Sequence, residues 1–71
     1  MNTKILENLG KNIKRYRLEK ELTQEELANK IGVHQTYIGK LEIGKINPST
    51  KKLFQISRAL GIKLSNIFDF D

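Results

Sequence analysis

Gln35, Thr36 and Lys40 are the residues of this 71-residue chain whose types and spacing could do chemistry. Gln35 carries a donor and an acceptor side by side, which matches the N6 and N7 edge of adenine. Thr36 offers a methyl group to thymine, or a hydroxyl to a base or phosphate. Lys40, one helical turn further on, can donate to guanine O6 and N7 or sit beside a phosphate. His34 stands directly before this group and is the single histidine of the chain. The chemistry is recognition by hydrogen bonds, not bond making. Paired carboxylates, a nucleophile–base set and a phosphate-cradling loop are all missing from the sequence, so no enzyme activity is expected. There is no cysteine for a disulfide or a thiolate site. His34 has no acidic or thiol neighbour at ligand spacing, so neither a metal nor another cofactor is expected.

Two short helices must present these residues. The stretch from Thr23 to Glu42, TQEELANKIGVHQTYIGKLE, places Leu27, Ala28, Ile31, Val33, Ile38 and Leu41 where two crossing helices need apolar side chains. Ala28 permits close approach. Gly32 falls where the first helix stops and the chain turns, a position that calls for positive φ. Ile38 plugs the angle between the helices. The pattern is that of a helix-turn-helix, whose second helix enters the DNA major groove and reads bases mainly through its first turn. Here that turn holds His34, Gln35 and Thr36.

Around this pair the chain reads as all-α, with five helices in one domain spanning residues 1–71. The first is expected from Thr3 or Leu6 to Lys20, burying Leu9, Ile13 and Tyr16 at helical spacing. Gly10 is a mild weakness inside it. The second starts at Thr23, with Glu26 three residues later in a capping box. The third starts after His34, a poor cap, and ends by Gly44. Ser49 caps the fourth, which carries Leu53, Ile56, Ala59 and Leu60 and stops at Gly61. The fifth, about Lys63 to Phe68, is short. No segment alternates as a strand does.

Composition sets outer bounds. A chain this short buries only about 60% of its extended surface, so helix packing must supply its stability, with oligomerisation as a further source. The net charge is +5, from 13 Lys+Arg and 8 Asp+Glu, which favours a polyanionic partner. No run is long enough to span a membrane, and the first residues do not read as a secretion signal. A cytoplasmic location is expected, with no membrane partner.

The motifs LTQEELA (Leu22 to Ala28), Ile31-Gly32-Val33, YIGKLE (Tyr37 to Glu42), Gly44-Lys45, Asn47-Pro48-Ser49 and ALGIKLSNIF resemble the phage-repressor, or Cro-like, helix-turn-helix family. The resemblance runs from about Leu9 to Phe68. It implies a compact five-helix, lambda-repressor-like DNA-binding domain, and the functions of repressors, restriction-modification controllers and antitoxins. It further implies that Gln24 reaches a phosphate and braces Gln35, and that Arg17 and Glu42 form a partly buried salt bridge. Tyr37, Lys45, Asn47, Ser49 and Thr50 are expected near the DNA backbone, with loop capping the plainer role for Asn47 and Ser49. Two departures stand out: Gly39 in mid-helix, and Lys63 where a capping hydroxyl is common.

A single helix reads only about four to six base pairs of groove edge. A homodimer on an inverted repeat doubles this, with half-sites about 34 Å apart. Its surface is sought at Leu64, Phe68 and Phe70, with Ile67 and Phe68 expected at least partly in the core, which leaves Leu64 and Phe70 as the better interface candidates. The leading expectation is therefore a sequence-specific transcriptional regulator binding double-stranded DNA. The alternative is an antitoxin-type module that binds a toxin protein and autoregulates its operon.

Overall fold

Helix starts in this protein are written by single side chains. In the computed structural model, which describes residues 2–70, α1 is Thr3–Glu19, α2 Gln24–Ile31, α3 Gln35–Glu42, α4 Thr50–Leu60 and α5 Leu64–Ile67. Asn2 Oδ1 accepts from the Ile5 N–H at 2.9 Å and starts α1. Thr23 Oγ1 accepts from the Glu26 N–H at 3.0 Å, while Glu26 Oε1 accepts from the Thr23 N–H at 2.8 Å. This reciprocal pair satisfies two backbone donors that the first turn of α2 would leave unpaired. Ser49 Oγ caps α4 through the Lys52 N–H at 3.0 Å. His34 does cap α3: its Nδ1 accepts from the Thr36 N–H at 3.0 Å, doing the work of a cap oxygen. The Lys63 side chain gives α5 no cap, although Asn66 Oδ1 accepts from the Lys63 N–H. That helix is only four residues long.

Four of the five helix ends share one device. The residue after the last turn is left-handed, and the next N–H reaches back across the turn. Val33 bonds Ala28, Lys45 bonds Lys40, and Ile62 bonds Ser57, behind Gly32 (φ 74°), Gly44 (φ 79°) and Gly61 (φ 68°). At the end of α1 the same bond joins Leu22 to Arg17, but the left-handed residue is Glu21 (φ 57°). A side chain there is strained where glycine is not.

Ten apolar side chains form one buried cluster: Leu9, Ile13, Leu27, Ala28, Ile38, Leu41, Leu53, Ile56, Leu60 and Ile67. Burial of each Leu or Ile contributes roughly 1.5–3 kcal/mol. Helix α3 packs on both α1 and α2, α4 packs on α2, and α5 bridges α4 and α1. The whole measures 27 × 22 × 20 Å.

Gly10 is no weakness. A Cβ built there would lie 2.5 Å from the Leu41 carbonyl oxygen and 2.6 Å from that of Glu42. The missing side chain is what lets α1 cross the C-terminal end of α3. The C-terminal aromatics also sit differently from expectation. Ile67 is in the core, but Phe68 is exposed, and Phe70 is the ring that packs inward. Asn12 donates its amide to the carbonyls of Ile67 (2.9 Å) and Asp69 (3.3 Å), which ties this segment to α1.

Two outcomes follow from these contacts. Gly10→Ala improves helix propensity but collides with backbone that cannot rotate away, so a net loss of about 1–3 kcal/mol is expected in urea denaturation. A more stable variant would contradict the crossing. The Glu26 carboxyl is held below its ordinary value of 4.5, first by the Thr23 backbone N–H and then by the Thr23 hydroxyl. Its folded pKa is depressed, so the capping contribution is complete above about pH 4.5 and fades as pH falls through the lower, folded value. Thermal melts across that window should slope more steeply for the wild type than for Glu26→Gln.

Candidate nucleic-acid interface

One face of α3 is tied into the core and the opposite face is left free. Ile38, Leu41 and Glu42 are buried, whereas Gln35, Thr36 and Lys40 are exposed. At about 100° per residue, Thr36 and Lys40 lie some 40° apart, and Gln35 flanks them. None of these three side chains makes a hydrogen bond among the described residues, so their donors and acceptors remain available. Ile43, 62% exposed at the end of the helix, projects in the middle of the same arc. Its place at a helix end gives no signal of orientation in the sequence.

A buried polar network fixes the angle of this helix. Arg17 Nε donates to Glu42 Oε2 at 2.7 Å and Arg17 Nη2 to Glu42 Oε1 at 3.1 Å. Arg17 Nη1 donates to the Leu22 carbonyl at 2.7 Å. Only 7% of the Arg17 side chain and 2% of that of Glu42 are exposed. Gln24 completes the set: its Nε2 donates to Glu42 Oε1 at 3.1 Å. No hydrogen bond joins Gln24 to Gln35 among the described residues, and the second amide hydrogen and Oε1 of Gln24 remain free. Its amide lies against Gly39, where a Cβ would stand 3.6 Å from Gln24 Oε1.

The other expected residues fall around this face in different states. His34 is exposed, with Nδ1 committed to the cap, so its ring proton resides on Nε2. Tyr37 is half-buried against the core. Burial pushes its phenol above the ordinary value, so the hydroxyl stays a donor at neutral pH. Lys45, Asn47 and Ser49 are exposed in the segment between α3 and α4, with the Ser49 oxygen occupied as a cap. Pro48 between them is buried and anchors that segment. At the far end, Leu64 and Phe70 pack on the core, while Phe68 (41% exposed) and Phe54 of α4 (49%) face outward. Phe54 gives no signal of this in the sequence, because its helix already carries an apolar stripe.

A rigidly seated helix with an uncommitted polar face, packed across a capped partner helix, defines the helix-turn-helix class. Residues 13–67 match the family described as HTH_3, helix-turn-helix, and the chain belongs to it. It is 46% identical over 59 residues to an uncharacterised HTH-type transcriptional regulator of Archaeoglobus fulgidus, covering 83% of each chain. Its structure resembles the restriction-modification controller protein C.AhdI from Aeromonas hydrophila, with a TM-score of 0.86, 32% identity, and 89% and 96% of the two chains covered. It also resembles SinR, the master regulator for biofilm formation solved in complex with DNA. There the TM-score is 0.81 at 35% identity, over 86% of this chain and 98% of SinR. The chain is a transcriptional regulator of helix-turn-helix type. Among the described residues, no helix is long and apolar enough to cross a membrane.

Removing one partner of the buried pair tests the support of α3. Glu42→Ala strands the Arg17 charge and should cost about 3–5 kcal/mol in chemical denaturation, far more than Lys40→Ala. Equal stability of the two variants would show that the network does not hold the helix.

Proposed function

We propose that the protein binds an inverted-repeat operator as a homodimer and inserts α3 into the major groove of each half-site. The observation that carries this reading is the uncommitted set Gln35, Thr36 and Lys40 on a helix whose other face is immobilised. Gln35 pairs with adenine N6 and N7, Thr36 meets a thymine methyl or a backbone oxygen, and Lys40 donates to guanine or a phosphate. The His34 Nε2–H is the available donor beside them. Gln24, Tyr37, Lys45, Asn47 and Ser49 position the duplex through phosphates. Gln24 does so with its first-turn backbone N–H and its second amide hydrogen, since the first is on Glu42.

The dimer surface takes in the C-terminal end. Exposure of Phe68, with Phe54, supports it. Leu64 and Phe70 back this surface from the core side and contribute less contact. Aromatic side chains are enriched at such interfaces because they bury much area at small entropic cost.

Selection of binding sites from random duplexes, followed by fluorescence anisotropy, tests the whole reading. Selected sites should be inverted repeats, with half-site centres about 34 Å apart. Gln35→Ala should lose about 1–3 kcal/mol of discrimination at one base position per half-site. Lys45→Ala should weaken all duplexes alike and lower the salt slope by about 1 per contact removed. Binding that prefers no sequence over random DNA would sink the proposal.

A further inference from the structure

We propose that the groove between α2 and α4 is a docking site for an acidic peptide segment of a partner protein. Lys30, Ile31, Gln55, Arg58 and Ala59 line a groove of about 470 Å³, and no residue proposed to contact DNA is among them. Its lining points to the occupant. Lys30 and Arg58 are exposed cations, and neither takes part in a salt bridge among the described residues. Ile31 and Ala59 give the groove half-buried apolar walls that pack on the core. Gln55 Oε1 is buried without a hydrogen-bond partner, alone among the buried side-chain polar atoms of the described residues.

Gln55 Oε1 is closed to solvent as the side chain stands, so it selects no occupant. A phosphodiester would meet Lys30 and Arg58 but has no apolar part for Ile31 and Ala59. A peptide supplies both: carboxylates for the two cations and an apolar side chain against Ile31 and Ala59. The groove also lies toward the end of α2 opposite Gln24, about 9 Å further along the helix axis at Lys30. On α4 it occupies the half remote from Ser49. Arg58 stays extended on the surface by resting over the Phe54 ring, 5.8 Å from its centroid. This site is read from the groove alone and does not depend on the operator proposal.

The test is phage display of random peptides of about 12 residues against the full chain, with the Lys30→Gln/Arg58→Gln double variant as counter-target. Both side chains are exposed, and circular dichroism melts of the variant check that it folds. The most enriched peptide, synthesised with an acetylated N-terminus, is then titrated into 15N-labelled protein. The expected result is a peptide with at least two carboxylates that binds about tenfold or more weakly to the double variant. Its amide shifts should centre on residues 30–31 and 55–59 and include the Gln55 side-chain pair. Enrichment of peptides without carboxylates, equal affinity for the double variant, or shifts centred elsewhere would overturn the proposal. So would a duplex-binding salt slope reduced by about 2 in the double variant with no peptide enriched, since phosphates would then be the occupant.

Discussion

The pairing of Arg17 with Glu42 is the constraint on which the rest of the structure depends. It joins α1 to the last turn of α3, and through the Leu22 carbonyl and the Gln24 amide it also holds the start of α2. Three helices thereby share one carboxylate and one guanidinium. Apolar side chains of similar volume would fill that space at equal or better stability, because burying two charges costs about as much as their attraction returns. Directionality is what the ion pair adds. The planar guanidinium meets both carboxylate oxygens, so it fixes rotation as well as distance. An apolar plug would hold α3 in place but would leave its rotation less defined.

That rotation matters because of how close the backbones run. At Gly10 the two helices touch through main-chain atoms, with no side chain to cushion a change in angle. Contact of this kind admits few alternative packings. The crossing at Gly10 and the ion pair at Arg17 lie two turns apart on α1, and together they define a line rather than a point. Helix α3 cannot swing about either contact alone without breaking the other.

Much of this was legible in the sequence, and the division follows physical range. Thr23, Ser49, Gly32, Gly44 and Gly61 act on neighbours within a turn, so their types at their spacing were enough. The helix-turn-helix itself was readable from Leu27, Ala28, Ile38 and Leu41, whose roles are set by helical period. Arg17 and Glu42 were linked only through the family resemblance, since neither residue locally identifies the other. Gly10 was misjudged because its reason lies in carbonyls of another helix. Phe68 and Phe70 exchanged expected places in a segment tied to α1 by Asn12, far away in the chain. His34 shows the opposite lesson, a poor cap by frequency that works because an imidazole nitrogen accepts as a hydroxyl oxygen does.

The freedom of the outward face of α3 has a cost and a use. Gln35, Thr36 and Lys40 have no structural duty, so ordering each of them on a ligand forfeits about 0.5–1.5 kcal/mol of rotamer entropy. Affinity per contact is therefore modest. The same independence means these positions can be exchanged with little effect on folding, as surface sites usually shift stability by under about 0.5 kcal/mol. A chain built this way can be retargeted, by drift or by a designed library, through a handful of codons while its scaffold stays unchanged.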